Sequence, residues 1–114
     1  MNDLKKWKIN GIELELDLED ADTAANYENA FEIMAEEEKQ IAKTGKNSDT
    51  IKSYCEMFRH MYDNIFGKGT SEKIFKGIKY NSRIYDEIYE SFLVYVKIPQ
   101  NLSDEDIGDI FGGF

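Results

Sequence analysis

The stretch Gly67-Lys68-Gly69-Thr70-Ser71 has the residue types of a phosphate-binding loop. Such a loop needs two glycines four residues apart, then Lys and Ser or Thr, between a strand and a helix, so that backbone N–H groups ring the phosphates. Here one residue separates the glycines, and the apolar spacing upstream is helical. No nucleotide site is therefore expected. The glycines instead predict a sharp turn between helices, with Thr70 or Ser71 capping the next one. A second candidate is the thiol of Cys55 with the imidazole of His60, the sole cysteine and the sole histidine. A nucleophile–base dyad needs both side chains on one face, and a separation of five residues places them poorly on a helix. Cys55 falls in an apolar stripe, where a buried inert thiol is the ordinary outcome. Glu28 and Glu32 share a helical face, but among 23 acids such pairs arise by chance, and no His or Cys joins them. These residues predict no enzyme, no cofactor and no metal site.

The elements that would position any partner surface are legible from pattern. "WKINGIELELDL" predicts a β-hairpin within about residues 4–18, turning on Asn10-Gly11 in a type I′ turn. That register pairs Trp7 with Leu14 and Ile9 with Ile12 on one face. On the other it sets Lys8 opposite Glu13 and Lys6 opposite Glu15. A lone hairpin is marginal in water, so its apolar face must be covered. A first helix is predicted over about 23–43, capped by Asp20, Asp22 or Thr23, with Tyr27, Ala30, Phe31, Met34, Ile41 and Ala42 as its stripe. A second, over about 49–66, has the clearest periodicity: Ile51, Tyr54, Cys55, Phe58, Met61, Tyr62, Ile65 and Phe66. A short helix over about 71–76 and a last one over about 82–97, capped by Asn81 or Ser82, complete the body. The last helix is apolar on more than one face, so part of it is expected to meet something beyond this chain's own core.

The expected fold is therefore α+β and mostly α: an N-terminal hairpin packed on a small bundle of three long helices and one short one, within residues 1–99. Beyond Pro99, the segment from Gln100 to Phe114 is acidic and glycine-rich, and is expected to be flexible or a docking peptide. The N-terminus has no long apolar run, which predicts neither a signal peptide nor a membrane span. One cysteine excludes an internal disulfide.

Charge is divided along the chain. From Ile12 to Glu38 there are eleven acids and no base, while from Lys39 to Pro99 eleven bases face seven acids. A net charge of −9 argues against nucleic acid as a partner. The local basic cluster, Lys68, Lys73, Lys76, Lys79 and Arg83, is instead a candidate protein-binding surface, with Tyr85 and Tyr89 as aromatic contacts. Acidic and basic patches on one chain also predict weak, salt-sensitive self-association.

Residues 57–96, "MFRHMYDNIFGKGTSEKIFKGIKYNSRIYDEIYESFLVYV", resemble small proteins encoded in the tail modules of phages and prophages of Gram-positive bacteria. The resemblance rests on Phe66, Gly67, Gly69, Thr70, Lys73, Phe75 and Gly77, in a helix-turn-helix stretch before an aromatic-rich helix. It implies an N-terminal strand pair and a helical body. It also implies a role as a tail assembly chaperone in the host cytosol, keeping the tape-measure protein soluble and recruiting tail-tube subunits. The alternatives are a structural tail or head–tail component of the virion, or an acidic regulatory protein-binding module.

Overall fold

The computed structural model describes residues 5–41 and 47–97. The fold is α+β and mostly α. A two-stranded hairpin, β1 (Lys6–Ile9) and β2 (Ile12–Glu15), is followed by helices α1 (Ala21–Gln40), α2 (Asn47–Phe66), α3 (Thr70–Ile74) and α4 (Ser82–Lys97). The break expected between the first two helices falls largely on 42–46, outside the described residues, as do Ala42, Lys43 and the acidic segment 100–114.

The hairpin has the register that its alternation and turn dictate: Lys6 opposite Glu15, Trp7 opposite Leu14, Lys8 opposite Glu13, Ile9 opposite Ile12. Asn10 and Gly11 both take positive φ, 45° and 79°, as a type I′ turn demands. One detail differs from the expectation. Lys6, not Lys8, makes the ion pairs, at 3.6 Å to Glu15 and diagonally at 3.8 Å to Glu13. A long side chain reaches the diagonal neighbour on a twisted two-stranded ribbon.

The hairpin's apolar face closes the core. Trp7 is 3% exposed; it stacks on Tyr62 and Phe66 at ring separations of 5.6 and 6.3 Å and meets Phe92 at a tilt, 5.1 Å away. Its indole N–H donates to Ser91 Oγ at 2.9 Å. At the open end of the hairpin, Tyr95 Oη donates to the Lys5 carbonyl at 2.7 Å and accepts from Leu16 N–H at 3.1 Å. At the turn end, Asn10 Nδ2 donates to the carbonyls of Ile74 and Lys76, at 3.0 and 2.9 Å. The hairpin thus runs from the end of α4 to the end of α3 and is fastened at both.

Helix α2 is the central element, packing against α1, α3 and α4 and burying Cys55, Met57, Phe58, Met61, Tyr62 and Ile65. It begins at Asn47, two residues before the expected start at 49. Helix α1 starts earlier than expected because Asp20 is the cap: its carboxylate accepts from Thr23 N–H at 2.9 Å. Ala30 is the one buried residue of α1, and Tyr27, Phe31 and Met34 are half-buried against the core. For α4 the cap is Asn81, whose side-chain oxygen accepts from Ile84 N–H at 3.1 Å.

Candidate functional site: a basic groove beside the α3 turn

The site is built by the turn that carries the two glycines. Gly67, at φ 117°, ends α2, and Gly69, at φ 92°, precedes α3. The expectation that Thr70 or Ser71 caps α3 is corrected here. Gly69 occupies the cap position, and Asp63, one turn back on α2, supplies the acceptor. Its carboxylate takes the Ser71 backbone N–H at 2.8 Å and the Ser71 hydroxyl at 3.1 Å. A carboxylate of the chain itself thus stands where a phosphate loop would hold its ligand.

The short helix delivers Phe75 into the core, where its ring stacks flat on Tyr85 at 4.0 Å and 2°. Arg59 of α2 meets this pair from the outside. Its Nε–H donates to Tyr85 Oη at 3.0 Å, and its guanidinium carbon lies 5.4 Å from the ring centres of both Phe75 and Tyr80. Burial works against the Arg59 charge, but the Tyr85 hydrogen bond and neighbouring Glu72 hold its pKa above the ordinary value. Burial pushes the Tyr85 phenol up against the pull of Arg59, so it remains a neutral acceptor. Among the described residues, Tyr85 Oη is the hydrogen-bond partner of Arg59, through Nε. The terminal N–H groups of the guanidinium have no hydrogen-bond partner among the described residues.

Arg59 lines a concavity of about 370 Å³ together with Glu72, Phe75, Lys76, Ile78 and Lys79. Its lining holds three cations, one carboxylate and half-buried Ile78, while Phe75 lies buried behind the Arg59 guanidinium. Lys76 and Lys79 are exposed. Among the described residues no carboxylate lies within ion-pair distance of either lysine or of Arg59. A planar, immobilised guanidinium with its outer fork free matches a carboxylate through two parallel N–H···O bonds. The two lysines add a positive potential that draws such a ligand in.

Of the residues singled out from sequence, Lys76 and Lys79 come together in this groove. Lys68 lies in the preceding turn, Lys73 on α3 and Arg83 in the first turn of α4; all three are exposed and lie outside the groove lining. Tyr85 is a correction: with no exposed surface, and covered by Phe75, it is a core residue that holds Arg59 and cannot touch a partner. Tyr89 is half-buried, with its ring 4.9 Å from that of Phe58, and belongs to the helix packing. Arg59 is the residue that sequence reasoning missed, and Tyr80, weighed there only as one of several contact tyrosines, is the ring that flanks it. Two other features are closed to chemistry by their surroundings. Cys55 is fully buried, its thiol pushed up by burial, while His60 is exposed with Nδ1 2.8 Å from Glu37 Oε2. The two cannot form a dyad. A larger concavity, about 650 Å³, opens between Glu38, Ile51, Tyr54 and Ser82; of its hydroxyls, Tyr54 Oη is committed, donating to Asp86.

No helix of the described residues is long and apolar enough to cross a membrane. No curated protein and no solved structure matches the chain. Residues 10–106 match a family of unknown function, DUF6673, and this match spans the hairpin turn, every helix and the groove. By that match the chain belongs to the DUF6673 family.

Proposed function

We propose that this protein is a non-enzymatic assembly factor that holds acidic segments of a protein partner in the groove around Arg59, acting as a tail assembly chaperone on a tape-measure protein. The observation that carries the reading is Arg59 itself. Its guanidinium is fixed over two rings and tied at Nε, its outer N–H groups have no hydrogen-bond partner among the described residues, and Lys76 and Lys79 line the same groove. An arginine already ordered in the free protein loses little further freedom on binding. The stretch that builds the groove is also the stretch that carries the resemblance to phage tail-module proteins. A chaperone of a long, aggregation-prone client needs contacts that form and release readily, and exposed charge contacts of roughly 0–1 kcal/mol each have that character. The net charge of −9 keeps the chaperone and its loaded client solvated.

Co-expression with a phage tape-measure protein, the proposed client, tests the reading. The wild-type chain should raise the soluble fraction of the client and co-purify with it at low salt. Lys76→Glu/Lys79→Glu should lose both effects while folding normally, since both lysines are exposed. A client equally soluble with and without the protein would contradict the proposal. Mass spectrometry of purified virions separates the alternative: a chaperone should be missing from them, and a structural tail component present in fixed proportion.

A further inference from the structure

This chain itself carries an acidic segment beyond α4. Residues 98–114 read IPQNLSDEDIGDIFGGF, with Asp104, Glu105, Asp106 and Asp109, no base, and Ile107, Ile110, Phe111 and Phe114 among them. We infer that this segment docks in cis on the groove and occupies it until a partner displaces it; the inference rests on the reading that the groove takes carboxylate-bearing segments. Three observations carry it. The first is charge. The groove gathers Arg59, Lys76 and Lys79 with no ion pair among the described residues, and residues 104–109 hold four acids.

The second is chemistry. The isoleucines and phenylalanines interleaved with those acids can pack on Ile78, the half-buried apolar residue of the lining. Glu72 on the rim repels carboxylates, so the acids should settle on the Lys76–Lys79 side.

The third is reach. Helix α4 ends at Lys97, beside the open end of the hairpin, where Tyr95 is bonded to Lys5 and Leu16. The hairpin turn is bonded to Lys76 at the groove. The span from one to the other is one strand of the hairpin, Lys5 to Asn10, about 17 Å at ~3.3 Å per residue. From Lys97 to Asp104 the chain reaches up to ~24 Å when extended. The acids therefore reach the groove with slack, and a short tether of this kind gives an effective concentration on the order of millimolar. The acidic face of α1 could reach the groove only from a second copy, without that advantage.

The test titrates a labelled synthetic peptide of residues 98–114 into full-length chains by fluorescence anisotropy at low salt. One chain is wild type. A second carries Asp104→Asn, Glu105→Gln, Asp106→Asn and Asp109→Asn. A third, matched in net charge, carries Glu19→Gln, Glu28→Gln, Glu32→Gln and Glu38→Gln, all exposed and outside the groove. For a peptide Kd of about 100 µM at a free groove and a tethered concentration of about 1 mM, the tail-neutralised chain should bind about tenfold more tightly than wild type. The charge-matched control should stay within about twofold of wild type, because exposed, distant charges are screened. Adding Lys76→Glu/Lys79→Glu to the tail-neutralised chain should abolish binding. Equal affinities for wild type and the tail-neutralised chain overturn the inference while leaving the groove a peptide site. A control as tight as the tail-neutralised chain overturns it as a general charge effect. No binding to any chain overturns both the inference and the reading of the groove. A wild-type dimer that dissociates when the tail is neutralised moves the contact to a second copy and overturns the cis arrangement.

Discussion

Replacing Trp7 by alanine removes the keystone between the hairpin and the helices, and the structure sets the size of the effect. The indole is 3% exposed, lies against Tyr62, Phe66 and Phe92, and donates to Ser91. Truncating a buried Trp to Ala costs about 3–5 kcal/mol, from lost transfer energy and the cavity left behind. Unfolding a domain of about 100 residues carries an entropy near 0.2 kcal/mol/K, so the midpoint should fall by roughly 15–25 °C. Trp7→Phe keeps a ring in place but loses the Ser91 hydrogen bond and some volume, so it should cost about 1–2 kcal/mol. Urea denaturation followed by far-UV circular dichroism is the assay, because Trp7 is the only tryptophan and its fluorescence disappears with it. In the wild type, that fluorescence should be blue-shifted and move to the red as the chain unfolds. A Trp7→Ala loss below about 1 kcal/mol, or the emission of a water-exposed indole in the native protein, would refute the packing of the hairpin on α2 and α4.

Four other outcomes follow from particular side chains. Tyr62→Phe should hold or raise stability by up to about 1 kcal/mol, because the buried Tyr62 hydroxyl has no hydrogen-bond partner among the described residues; a loss above that in urea melts would reveal a partner. Asn10→Gly keeps the positive-φ turn and deletes the two bonds to Ile74 and Lys76, so a drop of about 1–2 kcal/mol isolates the clamp of the hairpin on α3. Cys55 should resist Ellman's reagent in the native protein and react on unfolding, since it is fully buried and its thiol pKa is raised by burial; labelling within seconds under native conditions would contradict this. Isothermal titration with ATP and magnesium should show no binding heat, and Lys68→Ala should leave stability within about 0.5 kcal/mol, as Lys68 is exposed in a turn whose anion-binding donors already face Asp63.

The hairpin register was legible to the residue because two independent signals agree there: the Asn10-Gly11 turn and an alternation that a one-residue slip would invert. The core face of α2 was legible in its centre, where Cys55, Phe58, Met61, Tyr62 and Ile65 are buried as their spacing predicts, while buried Met57 lay off the expected stripe and Ile51, Tyr54 and Phe66 are only partly buried. Helix starts were less so. Three residues near Asp20 could each cap α1, and only the folded backbone decides that Asp20 reaches Thr23. At α3 the cap came from Asp63, eight residues before Ser71, which no local capping pattern foretells. The aromatic excess of α4 is largely absorbed by the chain itself, with Tyr85, Ile88, Phe92 and Tyr95 buried and Val94 left exposed.

The candidate site was half legible. Lys76 and Lys79 stood out as charge in an acidic protein, but Tyr85 read as a contact residue because burial is not a local property. Arg59 passed as a neighbour of His60. One signal was available: it stands four residues after Cys55 and three before Tyr62, a lone cation within an apolar stripe. Such a position requires a partner from elsewhere in the chain, and it finds Phe75, Tyr80 and Tyr85. Those rings are brought to it by the α3 turn, a tertiary event that spacing does not encode.

The most direct test of the account is a titration of tape-measure fragments into the ¹⁵N-labelled full chain at low salt, observing backbone amides and the Arg59 Nε–H signal. The account predicts shifts concentrated at Arg59, Lys76, Ile78 and Lys79, reversed by added salt and lost in Lys76→Glu/Lys79→Glu. Shifts confined to α1 or the exposed face of the hairpin, with the Arg59 Nε–H signal unmoved, would contradict it.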